Sequence, residues 1–466
     1  MPLTLDLYNL FAIVLDFLQR KTSNTVSYQS VLKYTCQNMP GHVADPSPLK
    51  TLPETDTMRV HNTLGAAILV ALVGTASAQT TTTPVVAAPP PAWKQGMAAD
   101  QEKSTLHPFA GHVTGRTASE LPLNKITAPV GFKVEVWADG VPDARSLALG
   151  SNGTVFVSNR LQSNVYAITD VGGKREVKVI LKGLKSPNGI VFDKGTLYVA
   201  ERHRITRYDD IESNLANPGA GKVVIDNLDP TNQPGHFWKY LAMGPDGMLY
   251  FNIGSPQNIT MPTYNEASIL RVDVKSGNME NYAQGVRNSV GMAFHPVSKE
   301  LWFTEHGRDW MGTDLPSDEL NVVKTKGQHF GFPFCHQGDV QDPVYGVNRS
   351  CSEFTPPALN LGAHMAPVGM KFYTGTMFPK EYLNSMLIAQ KGSWNRDPKQ
   401  GYNVIRVTVD ANGKATKHAF IDGFLENERG DPPMWGRPTD ILQMKDGSIL
   451  FSDDYNGVVY RVSYVR

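Results

Sequence analysis

The chain carries no net charge, because 44 Lys and Arg balance 44 Asp and Glu over 466 residues. A protein that wraps nucleic acid needs a surplus of cations to neutralise phosphates, so that partner class is excluded. Three cysteines are too few for a disulfide scaffold or a four-cysteine zinc site. No long segment holds a 3.6-residue apolar period, so helices do not compete for the architecture. Disorder throughout is excluded as well, since 41% hydrophobic and 9% aromatic residues can bury a sizeable core. What the chain has in excess is punctuation. Its 41 Gly and 32 Pro exceed the usual share and point to many turns between many short strands.

Residues 58–79, MRVHNTLGAAILVALVGTASAQ, have the layout of a secretory signal peptide: a polar start at Met58-Arg59, an apolar run from Leu64 to Val73, and Ala76-Ser77-Ala78 as a small-residue cleavage pattern. The apolar run is too short to cross ~30 Å of hydrocarbon, so no stable membrane span is expected, and the mature protein is expected to be periplasmic or secreted. Residues 1–57 show no sustained period and read as a mis-assigned extension ahead of a true start at Met58. Residues 79–120, opening on TTTTPVVAAPPPAW, read as a Thr/Pro/Ala linker. The folded body is expected over 121–466.

Within that body one phrase recurs six times: an apolar start, a Gly-bearing turn, a β-rich run, then a second strand. The repeats begin at Ser146, Pro187, Lys239, Ser289, Ala366 and Arg437, about 40 to 77 residues apart. That spacing suits four-stranded blades with insertions, and six of them predict a single all-β domain, a six-bladed β-propeller. In two repeats, Asp246-Gly247 and Asp446-Gly447 between apolar runs predict hairpins, with both turn residues at positive φ.

A propeller carries its chemistry in loops around one mouth of its channel, and the unusual residues fall at blade corners. His236 could act as a general base, although a structural histidine is the plainer reading. Arg287-Asn288 pair a planar cation with an amide, suited to carboxylate and carbonyl oxygens; a surface ion pair is the alternative. Glu305, Asp309, Asp314, Asp318 and Glu319 lie with Gly307 and Gly312 in one short loop. Such a loop can offer oxygens to Ca²⁺ or remain a solvated acidic face. His364, Lys391, Trp394, Arg396, Arg437 and Asp440 stand at the last two corners. Arg287, Lys391 and Arg437 with His364 would converge on one anionic ligand if all face the channel.

Taken together, GHFWKYL, GVRNSVGMAFHP, EHGRD with DLPSDELN, HFGFPFC, AHMAPVGMKFYTGTMFP, KGSWNR and GRPTDI resemble, in order, the pyrroloquinoline quinone (PQQ)-dependent glucose/sorbosone dehydrogenases, the L-sorbosone dehydrogenase-like branch in particular. The resemblance runs over about residues 125–466. It implies PQQ and Ca²⁺ at the channel mouth and oxidation of an aldose or sorbosone-like sugar aldehyde at C1 by hydride transfer to the quinone. A cytochrome or quinone-type electron acceptor would follow. It also implies roles. His236 stands as the base, and Arg287 and Asn288 lie beside the quinone carbonyls. The backbone carbonyls of Gly307 and Arg308 face calcium, with Asp309, Asp318 and Glu319 as further candidate ligands. His364, Lys391, Arg396 and Arg437 surround the cofactor. The chain departs from the glucose-oxidising members at Gly235 (an Asp there), at Pro187-Asn188 (a Gln) and at Thr439 (a second Arg). It departs from the sorbosone type at Lys391 (more often His). A calcium-dependent propeller hydrolase of lactonase type and a cofactor-free binding propeller share the predicted fold.

Cys335 and Cys351 would close a short loop in an exported domain, so they are expected either as a disulfide, contributing roughly 3 kcal/mol, or as two buried thiols.

Overall fold

The structure is a computed structural model that describes residues 115–229, 235–263, 265–430 and 432–465. The expected leader and most of the expected linker lie outside the described residues. The first described residues already engage the body: the Arg116 backbone N–H donates to the Asn456 carbonyl at 2.9 Å, and Leu121 is buried beside Tyr460 and Phe424.

Six four-stranded antiparallel sheets follow one another around a ring. The innermost strands are Ala144–Leu149, Ile190–Asp193, Leu241–Met243, Gly291–Phe294, Pro367–Phe372 and Pro438–Gln443. Each starts within three residues of a repeat read from the sequence. We number the blades 1 to 6 from these strands. The ring closes because Phe132–Ala138, the first strand in the chain, pairs with Val458–Tyr464 as the outermost strand of blade 6. Closure of this kind ties the ends of the domain together and leaves few free sheet edges. Among the described residues there is no α-helix.

The core is split into six apolar clusters, one at each interface between neighbouring blades. Side-chain alternation along the middle strands explains this. In Leu301–Glu305, Leu301 and Phe303 pack toward blade 3 while Trp302 packs toward blade 5. In Ile449–Asp453, Ile449 and Phe451 face blade 5 while Leu450 faces blade 1. A strand buried on both faces reads as a continuous apolar run rather than an alternating one, as these do.

The two Asp-Gly hairpins form, with a different turn from the one expected. Gly247 (φ 78°) and Gly447 (φ 84°) are left-handed, but Asp246 and Asp446 are not. The turn closes through Gly247 N–H to the Gly244 carbonyl at 3.0 Å and Gly244 N–H to the Met248 carbonyl at 2.8 Å. Only the glycine therefore needs positive φ. The aspartate instead accepts a local N–H, from Met248 at 3.1 Å or Ser448 at 2.9 Å.

Asp440 of blade 6 bonds two other blades and packs closely against a fourth. It accepts from Leu147 N–H of blade 1 at 2.8 Å and from the Tyr240 hydroxyl of blade 3 at 2.9 Å. A Cβ on Gly369 of blade 5 would stand 2.0 Å from its Oδ1. Burial raises the Asp440 carboxyl to about 6. This residue is thus a structural pin of the ring, and it does not line the cavity described next. Blade 4 carries an insertion with the short hairpin Cys335–His336 and Val340–Gln341, and a disulfide joins Cys335 to Cys351.

Candidate active site

A cavity of about 430 Å³ opens among the inner loops of the ring, and residues of blades 1, 3, 4, 5 and 6 form its wall. It brings together His236, Arg287, Asn288, Gly307, Asp309, Asp318, His364, Lys391 and Arg437 from segments far apart in sequence.

His236 is fixed by backbone before its side chain is considered. Its N–H donates to the Ser255 carbonyl at 3.0 Å, its carbonyl accepts from Gly254 N–H at 2.9 Å, and Ser255 N–H donates to the Arg287 carbonyl at 2.7 Å. Three segments are thereby stitched edge to edge. Gly254 makes the approach possible, since a Cβ there would sit 2.5 Å from the His236 carbonyl oxygen. The ring donates from Nδ1 to the Ser255 carbonyl at 2.8 Å, which leaves Nε2 with a free lone pair as the proton acceptor. Burial and the Arg287 charge lower the imidazole to about 3, so the ring is neutral across the physiological range. Gly235 has a local reason as well: a Cβ at this position would lie 2.7 Å from the Pro256 carbonyl oxygen.

Opposite charge relations hold on the side formed by blades 1, 5 and 6. One buried carboxylate, Asp454, binds Arg145 and Lys391 at 2.8 Å each and also Arg437. Burial alone would raise the Asp454 carboxyl, but Arg437, Lys391 and Arg145 hold it well below the usual carboxylate range. Arg145 is aimed by Asn188, whose Oδ1 accepts from its Nε at 3.0 Å. Arg160 adds a fourth cation to this wall, its guanidinium lying 3.9 Å from the centre of the Trp238 ring.

Blade 4 supplies the other side. Arg287 spends its guanidinium on neighbours: Nε donates to the Asn258 carbonyl at 2.8 Å, Nη1 to the Gly307 carbonyl at 2.8 Å, and Nη2 to Asn258 Oδ1 at 2.9 Å and Asp309 at 3.1 Å. Asn288 donates through Nδ2 to His306 Nδ1 at 3.1 Å, while His306 Nε2 donates to the Pro367 carbonyl at 2.8 Å. Asp318 accepts from Gly307 N–H at 2.8 Å and Ala366 N–H at 2.7 Å, and burial raises it to about 7. Ala366 (φ 50°) and His364 (φ 61°) both hold left-handed backbone, a sparsely populated state for residues with a Cβ. The His364 Nε2–H donates to the Gly312 carbonyl at 2.9 Å.

Two expected side chains, Arg396 and Glu319, lie elsewhere, while Arg308, expected only through its backbone carbonyl, sends its side chain out of the cavity. Arg396 is not on the cavity wall, because its Nη1 turns to the Thr313 carbonyl and to Asp314, both at 2.7 Å. Glu319 is also off the wall: it accepts from Asn321 Nδ2 at 2.9 Å and Gln337 N–H at 2.6 Å and braces the insertion. The Arg308 side chain leaves the cavity for Asp342 at 2.6 Å. Among the described residues no group of three His, Cys, Asp or Glu is arranged to hold a metal ion. The sequence reading missed Arg145, Arg160, His306 and Asp454. Arg160-Leu161, between two β-rich runs of the first repeat, and the paired Asp453-Asp454 before Gly457 were the only signals for two of them.

Comparison with known proteins agrees with this architecture. The model of the TrAA12-like family matches residues 126–465. An uncharacterised protein of Borreliella burgdorferi is 33% identical over 361 residues, covering 75% of this chain and 93% of that protein. Among solved structures, a carbohydrate-active enzyme of family AA12 from Trichoderma reesei, in a calcium structure, superposes with a TM-score of 0.63 at 19% identity, covering 73% of this chain and 97% of that one. The holo form of the PQQ domain of pyranose dehydrogenase from Coprinopsis cinerea gives a TM-score of 0.60 at 19% identity, covering 72% and 97%. At these identities the likeness to the solved structures is one of fold. With the family model spanning the whole ring, the chain belongs to the TrAA12-like family.

Proposed function

We propose that the protein is a PQQ-dependent oxidoreductase that oxidises an aldose or a sugar aldehyde, sorbosone-like aldehydes included, at C1. The observation that carries this reading is the charge of the cavity. Arg145, Lys391 and Arg437 share one ionised carboxylate, Asp454, and Arg160 stands on the same wall, so on this side of the cavity cations outnumber the carboxylates that bond them. PQQ is a planar quinone bearing three carboxylates, and this donor set fits it: the charged rim would hold the carboxylates while Arg287 and Asn288 lie on the facing wall. The names of the structural neighbours, PQQ domain and carbohydrate-active enzyme, support the same class.

When bound, PQQ supplies a two-electron acceptor for hydride, chemistry that no side chain provides. The chain's own part is acid–base and positional. His236 Nε2, neutral and unprotonated, takes the proton from the C1 hydroxyl of the sugar or of the aldehyde hydrate. The Ser255 carbonyl keeps Nδ1 protonated and so stabilises the cation that forms. Trp238 and Trp394 wall the cavity and limit water around the reacting carbon. Arg287, immobilised by Asn258 and Asp309, presents fixed positive charge without reorganisation.

Calcium belongs to the same proposal. The Arg308 carbonyl would face it, whereas the Gly307 carbonyl and Asp309 are engaged by the Arg287 guanidinium and would join its shell only if Arg287 turned away. Six to eight oxygens are the norm, so the remainder would come from bound ligand and water. The Cys335–Cys351 disulfide supports an exported location, with a cytochrome or quinone-type acceptor taking the electrons onward.

The test is reconstitution. Purified protein is titrated with PQQ in the presence of Ca²⁺, bound PQQ is followed by absorbance, and dye reduction is assayed with aldoses and sorbosone. Binding followed by substrate-dependent reduction is expected. Absence of PQQ binding would leave the hydrolase or the binding propeller as the better account.

A further inference from the structure

One bulky residue beside the cavity holds a backbone state that glycine usually supplies. Trp310 lies at φ 66°, and left-handed backbone in a residue of this size is an outlier that persists only where neighbours enforce it. Here they do. The Trp310 N–H donates to Asn395 Oδ1 at 2.8 Å, and Asn395 is itself buried. The preceding Asp309 exchanges two hydrogen bonds with Asn258: its N–H donates to Oδ1 at 2.7 Å, and its carbonyl accepts from Nδ2 at 3.0 Å. Further along the loop, the Gly312 carbonyl accepts from His364 at 2.9 Å and the Thr313 carbonyl from Arg396 at 2.7 Å. What the strain achieves is the placement of one ring. Trp310 meets Trp394 edge to face, with centroids 5.7 Å apart and planes at 73°. Trp394 lines the cavity and Trp310 does not, while both residues are half-buried. The pair forms an aromatic step that continues the cavity wall beyond the cavity itself.

The two tryptophans of the cavity wall differ in what their rings can still meet. The Arg160 guanidinium lies over Trp238 at 3.9 Å, so that face is taken. An edge-to-face contact uses a single face of one ring, and both Trp310 and Trp394 keep part of their surface accessible. A pyranose suits such a surface, because its C–H faces are flat and apolar while its rim carries the hydroxyls. Under the proposed function the cavity holds the cofactor and the sugar unit whose C1 faces His236. C4 lies across the pyranose ring from C1, so a 1,4-linked unit extends away from His236 and out along the wall. We propose that Trp310 and Trp394 form an aromatic subsite for this second sugar unit, with Trp310 the residue that sets specificity for 1,4-linked saccharides over monosaccharides. The inference rests on the reading of the cavity as a sugar site, and its readout is a preference between sugars, not turnover itself.

The experiment uses the full chain with Trp310→Asn, Trp310→Gly and Trp310→Phe. Asn and Gly accept left-handed backbone, so the loop can keep its path once the ring is gone, and either variant serves if the other fails to fold. Phe keeps an aromatic ring. Steady-state kinetics on PQQ-loaded protein compare D-glucose with cellobiose and maltose, and calorimetry on protein without PQQ compares binding of the same three sugars. The parent is expected to favour at least one disaccharide over glucose by roughly fivefold, the weight of one aromatic contact. Trp310→Asn and Trp310→Gly are expected to lose that preference through KM while kcat for the disaccharide is kept, the mark of lost ground-state binding. Trp310→Phe should retain most of it. If PQQ-loaded protein turns over no sugar, the oxidoreductase reading fails and the calorimetric preference alone decides the subsite. A parent that favours neither disaccharide overturns the proposal, and so does a preference that survives in Trp310→Asn or Trp310→Gly. Equal rises in KM for glucose and disaccharide overturn it as well, since Trp310 would then only hold the loop or serve the electron acceptor.

Discussion

The two sides of the cavity handle charge in opposite ways. On the side of blades 1, 5 and 6, three cations bond one ionised carboxylate and a fourth, Arg160, lies over Trp238. Two nitrogens of Arg160 stay unbonded among the described residues. On the blade 4 side the polar groups are answered from within: Arg287 by Asn258, Gly307 and Asp309, His306 at both ring nitrogens, and Asp318 by two backbone N–H groups. A self-satisfied network is rigid and holds a shape. An unsatisfied one holds a place for a ligand. Under the proposed function, the first side is where an anion would bind, and the second is the fixed wall against which it would be aligned.

The sharpest way to break this contrast is at Asp454. Replacing it with Ala leaves Arg145, Lys391 and Arg437 buried without their shared counter-charge. Removing one partner from a buried pair typically destabilises by about 3–5 kcal/mol. A drop of that size in urea-unfolding stability is expected. A loss under about 1 kcal/mol would mean that the three cations are solvated in the native protein and that the charge excess is not stored there.

His236 offers the next largest effect, and it acts on turnover alone. His236→Gln keeps a similar volume but removes the proton acceptor, so turnover should fall by about 10²–10⁴ while PQQ affinity stays close to that of the parent. The pH profile of the parent carries the same information. The ordinary imidazole value is near 6.5, and burial with the Arg287 charge lowers this one to about 3. A lowered value means that the proton is refused as pH falls, so the base form survives well below 6.5. The acid limb of kcat/KM should therefore show no inflection at 6.5. An inflection there, abolished in His236→Gln, would contradict the burial that the structure assigns to this ring.

The fold was legible in the chain because propeller blades repeat. Turn glycines and doubly buried strands mark each unit locally, and the six starts land on six inner strands. Several residues of the cavity wall were legible too, since His236, Arg287 and Gly307 sit in distinctive phrases at corners. The charged hub was not. Arg145 and Asp454 are separated by 309 positions; the first is an ordinary polar residue at the start of one strand and the second lies just past the end of another. Their meaning arises only when the ring closes and blade 6 is laid against blade 1. Arg396 and Arg437 illustrate the converse. Both are arginines near a late corner, and nothing local says which will face the cavity.

A smaller effect is expected from the Cys335–Cys351 bridge. Its sequence separation of 16 gives roughly 3 kcal/mol in the chain-entropy model. Only part of this should reach global unfolding, because the insertion is also held by Arg308 to Asp342 and Gln337 to Glu319. Replacing both cysteines by Ala should lower stability by about 1–3 kcal/mol and leave PQQ affinity unchanged, since the insertion braces the blade 4 wall and does not touch the cationic side. A tenfold loss of PQQ affinity in that variant would show that the two sides are coupled.

The smallest expected effect is the most discriminating between neighbouring cations. Arg396 bonds the Thr313 carbonyl and Asp314 at 2.7 Å, and the exposed Asp314 carboxylate makes the ion pair worth little, about 0–1 kcal/mol. Arg396→Gln should therefore shift PQQ affinity by less than twofold, whereas Arg437→Gln, which removes a cation bonded directly to Asp454 on the cavity wall, should weaken it by roughly tenfold or more. Equal losses from the two substitutions would mean that net positive charge near the mouth, not the placement of individual guanidinium groups around Asp454, governs binding. A salt series settles that point: the Debye length shortens to about 3 Å at 1 M, so a contribution from diffuse charge would vanish there while the Arg437 contact would persist.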